Sequence, residues 1–163
     1  MDQGNRIAPF AIVLALALVL QLALIAADCQ QTPVRVAKQF ARDYFYLDPA
    51  MQNDLCKKLA ANGEAVNDFL YQKRIEAQNN GHSIKYLRKM FTEMEVEVEN
   101  QTDTSANIHI TGVTRTAINP AFMVVGKLFG LGQNFPVKLT LDLVKEDGNW
   151  RVCGNPFGMA PKA

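Results

Sequence analysis

Side chains that can move protons are the first candidates for chemistry in this chain. Asp43, Tyr44, His109 and Asp142 are of the types that general acid–base catalysis uses. Asp43 falls on the opposite face of a helical pattern from Tyr44, whereas His109 and Asp142 alternate with apolar neighbours along predicted strands. We therefore expect Asp43, His109 and Asp142 to face solvent separately. The sequence predicts no catalytic residue and favours a protein that is not an enzyme.

Metal-binding residue types are present, but their spacing does not suit a metal ion. His82 and His109 are far apart and neither neighbours a cysteine, which is not the pattern of a zinc site. Glutamates alternate over residues 93–99, and side chains on one strand face are about 6–7 Å apart, too far for one calcium ion. We expect no metal ion and no cofactor.

The chain has three cysteines, at positions 29, 56 and 153. In an exported domain we expect Cys56 and Cys153 to form a disulfide that joins an early helix to the last strand. Closing a loop of that length stabilises a fold by about 4–5 kcal/mol in the chain-entropy model. Two buried thiols are the alternative. Cys29 would then be a free thiol, part of an intermolecular bridge, or inert.

An uncharged run of 21 residues, from Ile7 to Ala27, separates a short tail (1–6) from the rest of the chain. As a helix it would be about 31 Å long, which matches a bilayer hydrocarbon core of about 30 Å. The alternatives are a cleaved secretory signal, whose apolar region is usually about 7–15 residues long, and a lipoprotein signal that ends at Cys29. Because Asp28 stands where a lipoprotein signal needs a small residue, we predict an uncleaved transmembrane helix that contacts membrane lipid.

The charged residues indicate which partners and which side of the membrane to expect. With 17 Lys+Arg against 16 Asp+Glu the net charge is +1, and this balance disfavours a nucleic-acid partner. The amino terminus and Arg6 outweigh Asp2 before the uncharged run, and Asp28 follows it, so the positive-inside rule keeps the terminus in the cytoplasm. The residues that follow a linker at 28–33 are then expected outside the cytoplasm.

In the exported part, helical patterns precede strand patterns. Thr32 can cap a helix that begins at Pro33 and ends before Pro49. Further helices are predicted over about 49–61 and 64–79. Alternating residues then predict antiparallel strands around 93–99, 106–111, 135–145 and 150–153. Helices followed by such strands predict an α+β domain whose helices cover one face of the sheet.

Two stretches of this pattern resemble the nuclear transport factor two-like (cystatin-like cone) superfamily, in particular its small secreted or lipoprotein-type bacterial members of unknown function. They are PVRVAKQFARDYFYLD, the predicted first helix, and LTLDLVKEDGNWRVC, the closing hairpin. The hairpin residues that match the family's usual pattern are Lys145, Asp147, Gly148 and Trp150.

The resemblance implies a cone-shaped domain over residues 34–157, with about three helices on a curved antiparallel sheet, and a tail at 158–163. Together with the charge bias around the uncharged run, it implies a single-pass protein of the bacterial inner membrane with its domain in the periplasm. The family is mostly one of pockets and interfaces, with a minority of isomerases and dehydratases.

Residues 117–132 form a long apolar segment with a single charge, Lys127, where a turn of about 2–5 residues is usual between strands. We predict that its apolar side chains contact a protein partner or the membrane. They are Phe122, Met123, Val125, Leu128, Phe129 and Leu131. The alternatives are a core helix that plugs the cone and a lid over a lipid-like ligand.

The sequence thus predicts a non-catalytic accessory subunit or binding module of a membrane protein assembly, anchored through residues 7–27 and contacting a protein partner. The alternative is a carrier for a small apolar ligand, or an isomerase- or dehydratase-like enzyme, with a pocket in the cone.

Overall fold

The computed structural model describes residues 7–28, 31–61, 63–116 and 134–158. The chain falls into two compact units, one up to Gln31 and one from Thr32 onward. The first unit contains helix α1, Ile7–Asp28. Within the part of the chain that the structure describes, no helix is found that is long and apolar enough to cross a membrane.

Helix α2, Pro33–Tyr46, begins and ends where the sequence predicts. The Thr32 hydroxyl accepts a hydrogen bond from the Arg35 N–H at 3.2 Å. Pro33 lies in the first turn, where a backbone N–H has no helical partner, so the N–H that proline lacks costs no hydrogen bond. At the other end Leu47 adopts a left-handed conformation with φ 57°, which closes the helix. Both ends are therefore set by local chemistry.

The helix predicted over 49–61 is wrong in one respect, because an extended segment divides it. A 3-10 helix, Pro49–Asp54, and a short helix α3, Lys57–Ala60, lie on either side of Cys56. The Cys56 N–H donates to the Val152 carbonyl at 2.9 Å, so this segment pairs with the edge of the sheet. Tertiary pairing here prevails over a helical periodicity that is only a weak preference.

The next two helical segments lead into the sheet. Helix α4, Glu64–Asn79, confirms the helix predicted over 64–79. A 3-10 helix, Ile84–Leu87, follows and ends just before the first strand. Strand β1 then begins at Lys89, one residue after Arg88 closes the 3-10 helix.

Strands β1 to β4 form one antiparallel sheet in the order β1-β2-β3-β4. Their bounds are Lys89–Gln101, Ser105–Thr116, Phe135–Glu146 and Asn149–Cys153. Each strand pairs with the next in sequence, which gives a meander. In the register, Ile108 of β2 lies opposite Val98 of β1 and Leu141 of β3. Residues of one parity therefore share the inner face of the sheet.

The core lies between α2 and the inner face of the sheet. Phe40 and Ala37 of α2 are fully buried in the same cluster as Ile108, Ile110 and Leu141 of the strands. Burial along β2 and β3 alternates with a period of two, as the sequence predicts. The predicted α+β class, with helices packed on an antiparallel sheet, is confirmed.

The closing hairpin also matches its sequence signature. It turns at Asp147 and Gly148, which have φ values of 51° and 83°, the left-handed pair that a tight hairpin requires. Trp150 is buried after the turn, and the Lys145 ammonium lies 5.9 Å from the centre of its ring. The hairpin thus places a large aromatic side chain in the core.

The predicted disulfide between Cys56 and Cys153 is confirmed, with the Cα atoms 5.4 Å apart. It joins the extended segment before α3 to the last residue of β4, so the covalent bond and the backbone pairing at Val152 hold the same two segments together. This bond closes a loop across most of the second unit, since the two cysteines are 97 positions apart.

Candidate functional site

A groove with a volume of about 560 Å³ lies between helix α2 and the first part of strand β1. Helix α2 lines it with Lys38, Arg42, Asp43 and Tyr46, and the strand lines it with residues 89–94. We call this feature the α2–β1 groove. It combines charged, aromatic and apolar side chains in one open concave surface.

The two walls of the groove are built differently. On α2, Lys38, Arg42 and Tyr46 recur every four residues and so form one stripe along the helix. On β1, consecutive residues 89–94 line the groove, although successive strand side chains point to opposite faces. Residues of both parities in the first part of β1 therefore border the groove. Among the described strands only β2 pairs with β1, so β1 is an outer strand of the sheet.

Glu93 marks an irregularity in the strand wall. Its φ is 55°, in the left-handed region that a residue other than glycine rarely adopts. The register between β1 and β2 shifts between Thr92 and Glu95, which is a β-bulge at this point. A bulge bends its strand and redirects side chains. Before it, Lys89 to Thr92 keep a regular register with β2.

Asp43 is half-buried in the groove and is held by its own helix. The Gln39 side-chain amide donates to both carboxylate oxygens, at 3.1 and 3.0 Å. Burial raises the pKa of Asp43, the Gln39 hydrogen bond opposes that change, and the neighbouring Asp48 and Arg42 charges have smaller, opposite effects. The two Gln39 hydrogen bonds therefore hold the Asp43 carboxyl group along α2.

Cations at the rim of the groove rest on aromatic rings. The Arg88 guanidinium lies 5.0 Å from the centre of the Tyr46 ring, and the Lys89 ammonium lies 5.4 Å from the centre of the Phe135 ring. Each contact is favourable by about 0.5–1 kcal/mol at an exposed site. Packing on these rings therefore positions the two positive charges.

Aromatic rings of α2, α4 and the segment after β4 pack against one another. Tyr44 stacks on Phe69 at 4.9 Å between ring centres and meets Phe45 edge-on at 5.3 Å. Phe157, near the end of the described chain, lies 5.1 Å from Phe69. Burial raises the pKa of Tyr44. Tyr44 thus lies in the core, and its neighbour in sequence, Asp43, lines the groove.

The remaining acid–base candidates lie on the outer face of the sheet. The His109 ring contacts Glu99 at 3.1 Å through Nε2 and Thr140 at 2.7 Å through Nδ1. The Asn107 side-chain amide donates to Asp142 at 2.7 Å. These pairs cross neighbouring strands and stabilise the sheet surface. The structure therefore does not bring Asp43, His109 and Asp142 together.

A second polar region, beside the disulfide, has a structural role. The Arg151 guanidinium donates to the Asn53 carbonyl, and the Lys57 N–H donates to the Glu146 carboxylate at 2.9 Å. Burial raises the pKa of Asp54 to about 6, the Asp43 charge adds to this rise, and Arg151 opposes it. These contacts fasten the 3-10 helix and α3 to the β3–β4 hairpin.

The predicted contact residues of the 117–132 segment lie outside the described residues, as does Cys29. These contact residues are Phe122, Met123, Val125, Leu128, Phe129 and Leu131. The described residues contain no group of three or more His, Cys, Asp or Glu side chains arranged to hold a metal ion.

Sequence reasoning did not find the α2–β1 groove. The Lys38, Arg42 and Tyr46 stripe was visible as a four-residue repeat, and so were the adjacent cations Arg88 and Lys89. A solvated helix face gives the same repeat, however. Only the approach of β1 to α2 distinguishes a groove from an ordinary charged surface.

No family model and no curated protein matches the chain. Among solved structures, the chain is similar to a candidate NTF2-like transpeptidase from Campylobacter jejuni, with a TM-score of 0.44, 16% identity, and coverage of 75% of this chain and 97% of that one. It is also similar to an NTF2-like protein of unknown function from Shewanella oneidensis MR-1, with a TM-score of 0.41, 14% identity, and coverage of 73% and 89%. Both neighbours bear the name of the family that the sequence resembles. These likenesses concern the fold alone.

Proposed function

We propose that this chain is a non-catalytic, membrane-anchored binding module that serves as an accessory subunit of a membrane protein assembly. The observation that carries the proposal is the aromatic packing that joins α2, α4 and the segment after β4. Tyr44, Phe69 and Phe157 pack together there with ring centres 4.9 to 6.4 Å apart. An enzyme or a carrier for an apolar ligand would need the same space for its ligand.

The separation of the acid–base residues supports the same proposal. Asp43 lies in the α2–β1 groove and is held by Gln39, whereas His109 and Asp142 bind neighbours on the outer face of the sheet. General acid–base catalysis needs its groups within hydrogen-bond reach of one substrate. Residues on separate surfaces do not meet that condition.

The membrane part of the proposal is supported by the sequence of α1. The run from Ile7 to Ala27 has no charged residue, and its 21 residues match the roughly 20 that a spanning helix needs. A helical backbone satisfies the polar groups of such a run internally. We place this helix in the bacterial inner membrane, with the second unit on the periplasmic side.

The partner contact is proposed at residues 117–132, whose sequence is the most apolar beyond α1. A single charge, Lys127, stands among side chains that favour contact with a protein or with lipid. A tethered domain meets its membrane-bound partners at a high effective concentration. A modest apolar contact is then sufficient for stable association.

Native purification of the full chain in mild detergent tests this function. We expect partner proteins to be recovered with the wild-type chain and to be lost when Phe122, Phe129 and Leu131 are replaced together by serine. The matched control is Tyr71→Ser, which removes an aromatic side chain that is 56% exposed on α4. It should leave the recovered proteins unchanged.

Two outcomes would contradict the proposal. One is unchanged recovery of partners from the triple variant while its circular dichroism spectrum remains that of the wild type. The other is a small apolar molecule, identified by mass spectrometry in every preparation, that is released when Tyr44→Ala opens the interior. That result would favour the carrier or enzyme instead.

A further inference from the structure

We propose that the Thr140 hydroxyl is a nucleophile that takes up an acyl group from an activated acyl ester, one whose acyl carbon bears a good leaving group. Thr140 is one end of a hydrogen-bonded relay, formed with His109 and Glu99 on the outer face of the sheet. Transfer of one acyl group to the chain itself is a modification rather than turnover. The inference therefore goes beyond the proposed binding role and does not depend on it.

Three neighbouring strands place the relay. His109 of β2 lies directly opposite Thr140 of β3 in the register, and β1 supplies Glu99. The residues on either side of His109, which are Ile108 and Ile110, are fully buried in the core. Because successive strand side chains point to opposite faces, this burial holds the His109 ring on the outer face, beside Thr140.

The two contacts of the imidazole ring decide where its hydrogen lies. Nε2 lies 3.1 Å from a Glu99 carboxylate oxygen, and Nδ1 lies 2.7 Å from Thr140 Oγ1. A carboxylate only accepts, so in the neutral ring Nε2 carries the hydrogen and Nδ1 keeps its lone pair. The Thr140 hydroxyl therefore donates to Nδ1. A nucleophile bonded to its general base, with the base oriented by a third group, is the arrangement that activates a hydroxyl.

The transfer that this arrangement supports is balanced. As Thr140 Oγ1 bonds to the acyl carbon, its proton passes to His109 Nδ1. The bond between the acyl carbon and the leaving group then breaks, and the leaving group departs with the bonding electrons and takes the proton from Nδ1. The products are an ester at Thr140, a neutral His109 and the protonated leaving group. Glu99 is a positioning residue, which orients the ring and stabilises its transient positive charge.

The surroundings of Thr140 give a donor access to the hydroxyl. Thr140 is exposed, and β4 pairs with β3 only over Asp142 to Glu146, so no described strand flanks the far side of Thr140. Lys138, also exposed, lies on the same face about 6–7 Å along the strand. Its ammonium is within reach of the negative charge that develops on the acyl oxygen. Leaving-group reactivity, rather than acyl chain length, therefore selects the donor.

Acetylation of the full chain by p-nitrophenyl acetate in mild detergent tests this inference. Peptide mass spectrometry locates each acetyl group, and neutral hydroxylamine removes esters but not lysine amides. We expect a hydroxylamine-sensitive acetyl group at Thr140, formed about tenfold or more faster than at Thr104, an exposed threonine in the β1–β2 turn. This comparison is made within the wild-type chain, so it does not depend on a variant folding.

Variants test each member of the relay. His109→Gln should slow acetylation of Thr140 by about tenfold or more, because an amide can hold the hydroxyl but cannot take its proton. Glu99→Ala should also slow it, whereas Glu99→Gln keeps an oxygen that accepts from Nε2 and should retain most of the rate. The matched control is Glu95→Ala, the same change on an exposed residue of β1, which should alter the rate by less than about twofold.

Three results would overturn the inference. They are acetylation of Thr140 no faster than that of Thr104, an unchanged rate in His109→Gln, and an acetyl group on the Thr140 peptide that resists hydroxylamine. Because the probe is a small molecule that needs no membrane partner, these results are independent of co-purification. A failure of the proposed function therefore leaves this test intact, and the reverse also holds.

Discussion

The Cys56 N–H donates to the Val152 carbonyl at 2.9 Å, one residue before the cysteine with which Cys56 forms its disulfide. A backbone hydrogen bond and a covalent bond therefore fix the same contact between the segment after α2 and the last strand. Because β4 is only five residues long, this added pairing extends the sheet on that side. The contact closes the core around Met51 and Val152, which are both fully buried.

Removing the disulfide is expected to cost much of the stability of the second unit. Replacing Cys56 and Cys153 together by serine should lower the free energy of unfolding by about 4–5 kcal/mol in the chain-entropy model, since the two residues are 97 positions apart. Urea denaturation of the oxidised protein measures the change. Cys29→Ser is the control and should have no such effect; equal stability of the double variant and wild type would contradict the prediction.

Truncating Phe40, at the centre of the core, should also lower the free energy of unfolding. Phe40 is fully buried and lies 6.2 Å from the Tyr44 ring. Phe40→Ala removes apolar contact and leaves a cavity, so we expect the free energy of unfolding to fall by about 3–5 kcal/mol. Tyr71→Ala, on the exposed face of α4, should change the free energy of unfolding by less than about 0.5 kcal/mol. Comparable losses for both variants, measured by chemical denaturation, would argue against this placement of the core.

Asp54 should make the stability depend on pH. Its pKa is raised from 3.8 to about 6, so the folded state favours the protonated carboxyl. The stabilisation is fully present below pH 3.8 and is lost as the pH rises through about 6. The free energy of unfolding of the wild-type protein should therefore fall between pH 4 and pH 7. In Asp54→Asn this fall should be smaller, by about 1 kcal/mol after allowance for partial exposure.

The measurement is urea denaturation of both proteins at several pH values between 4 and 7. Asp103→Asn, at an exposed position in the β1–β2 turn, controls for the loss of one negative charge. If Asp54→Asn and wild type show parallel pH dependence over that range, Asp54 is not the group responsible.

Gly112 should not tolerate a side chain. A Cβ atom there would lie 2.6 Å from Cε2 of Phe91 and 2.9 Å from the carbonyl oxygen of Thr92. Because the backbone oxygen cannot swing aside, Gly112→Ala should destabilise the fold by about 1–3 kcal/mol. Thr111→Ala is the neighbouring control. A melting temperature for Gly112→Ala equal to that of wild type would contradict the close approach of β1 and β2.

Much of the fold was predictable because its signals are local. The capping of α2 by Thr32, the hairpin at Asp147 and Gly148, and the alternation along β2 depend on neighbouring residues in the chain. The divided helix at Cys56 was not predictable, since the hydrogen bond that divides it comes from Val152. Periodicity along a short stretch of sequence carries no information about a hydrogen-bond partner that lies so far along the chain.

The candidate site follows the same rule. Helical and strand periodicity in the sequence assign Asp43, His109 and Asp142 each to a face. The sequence did not indicate that Arg42 and Lys89 would line one groove. Their approach depends on the packing of α2 against the sheet, which joins segments far apart in the chain.

The sequence by itself determined the local features of this protein: the uncharged run at residues 7–27, the ends of α2, the strand alternation and the residues of the closing hairpin. Each follows from the conformational preferences of adjacent residues. Only the tertiary structure decided that α2 and the first part of β1 line one groove, that Asp54 is partly buried, and that the aromatic rings of α2 and α4 pack together. These properties depend on side-chain volume and backbone pairing between distant segments, and such energies have no counterpart in a local pattern.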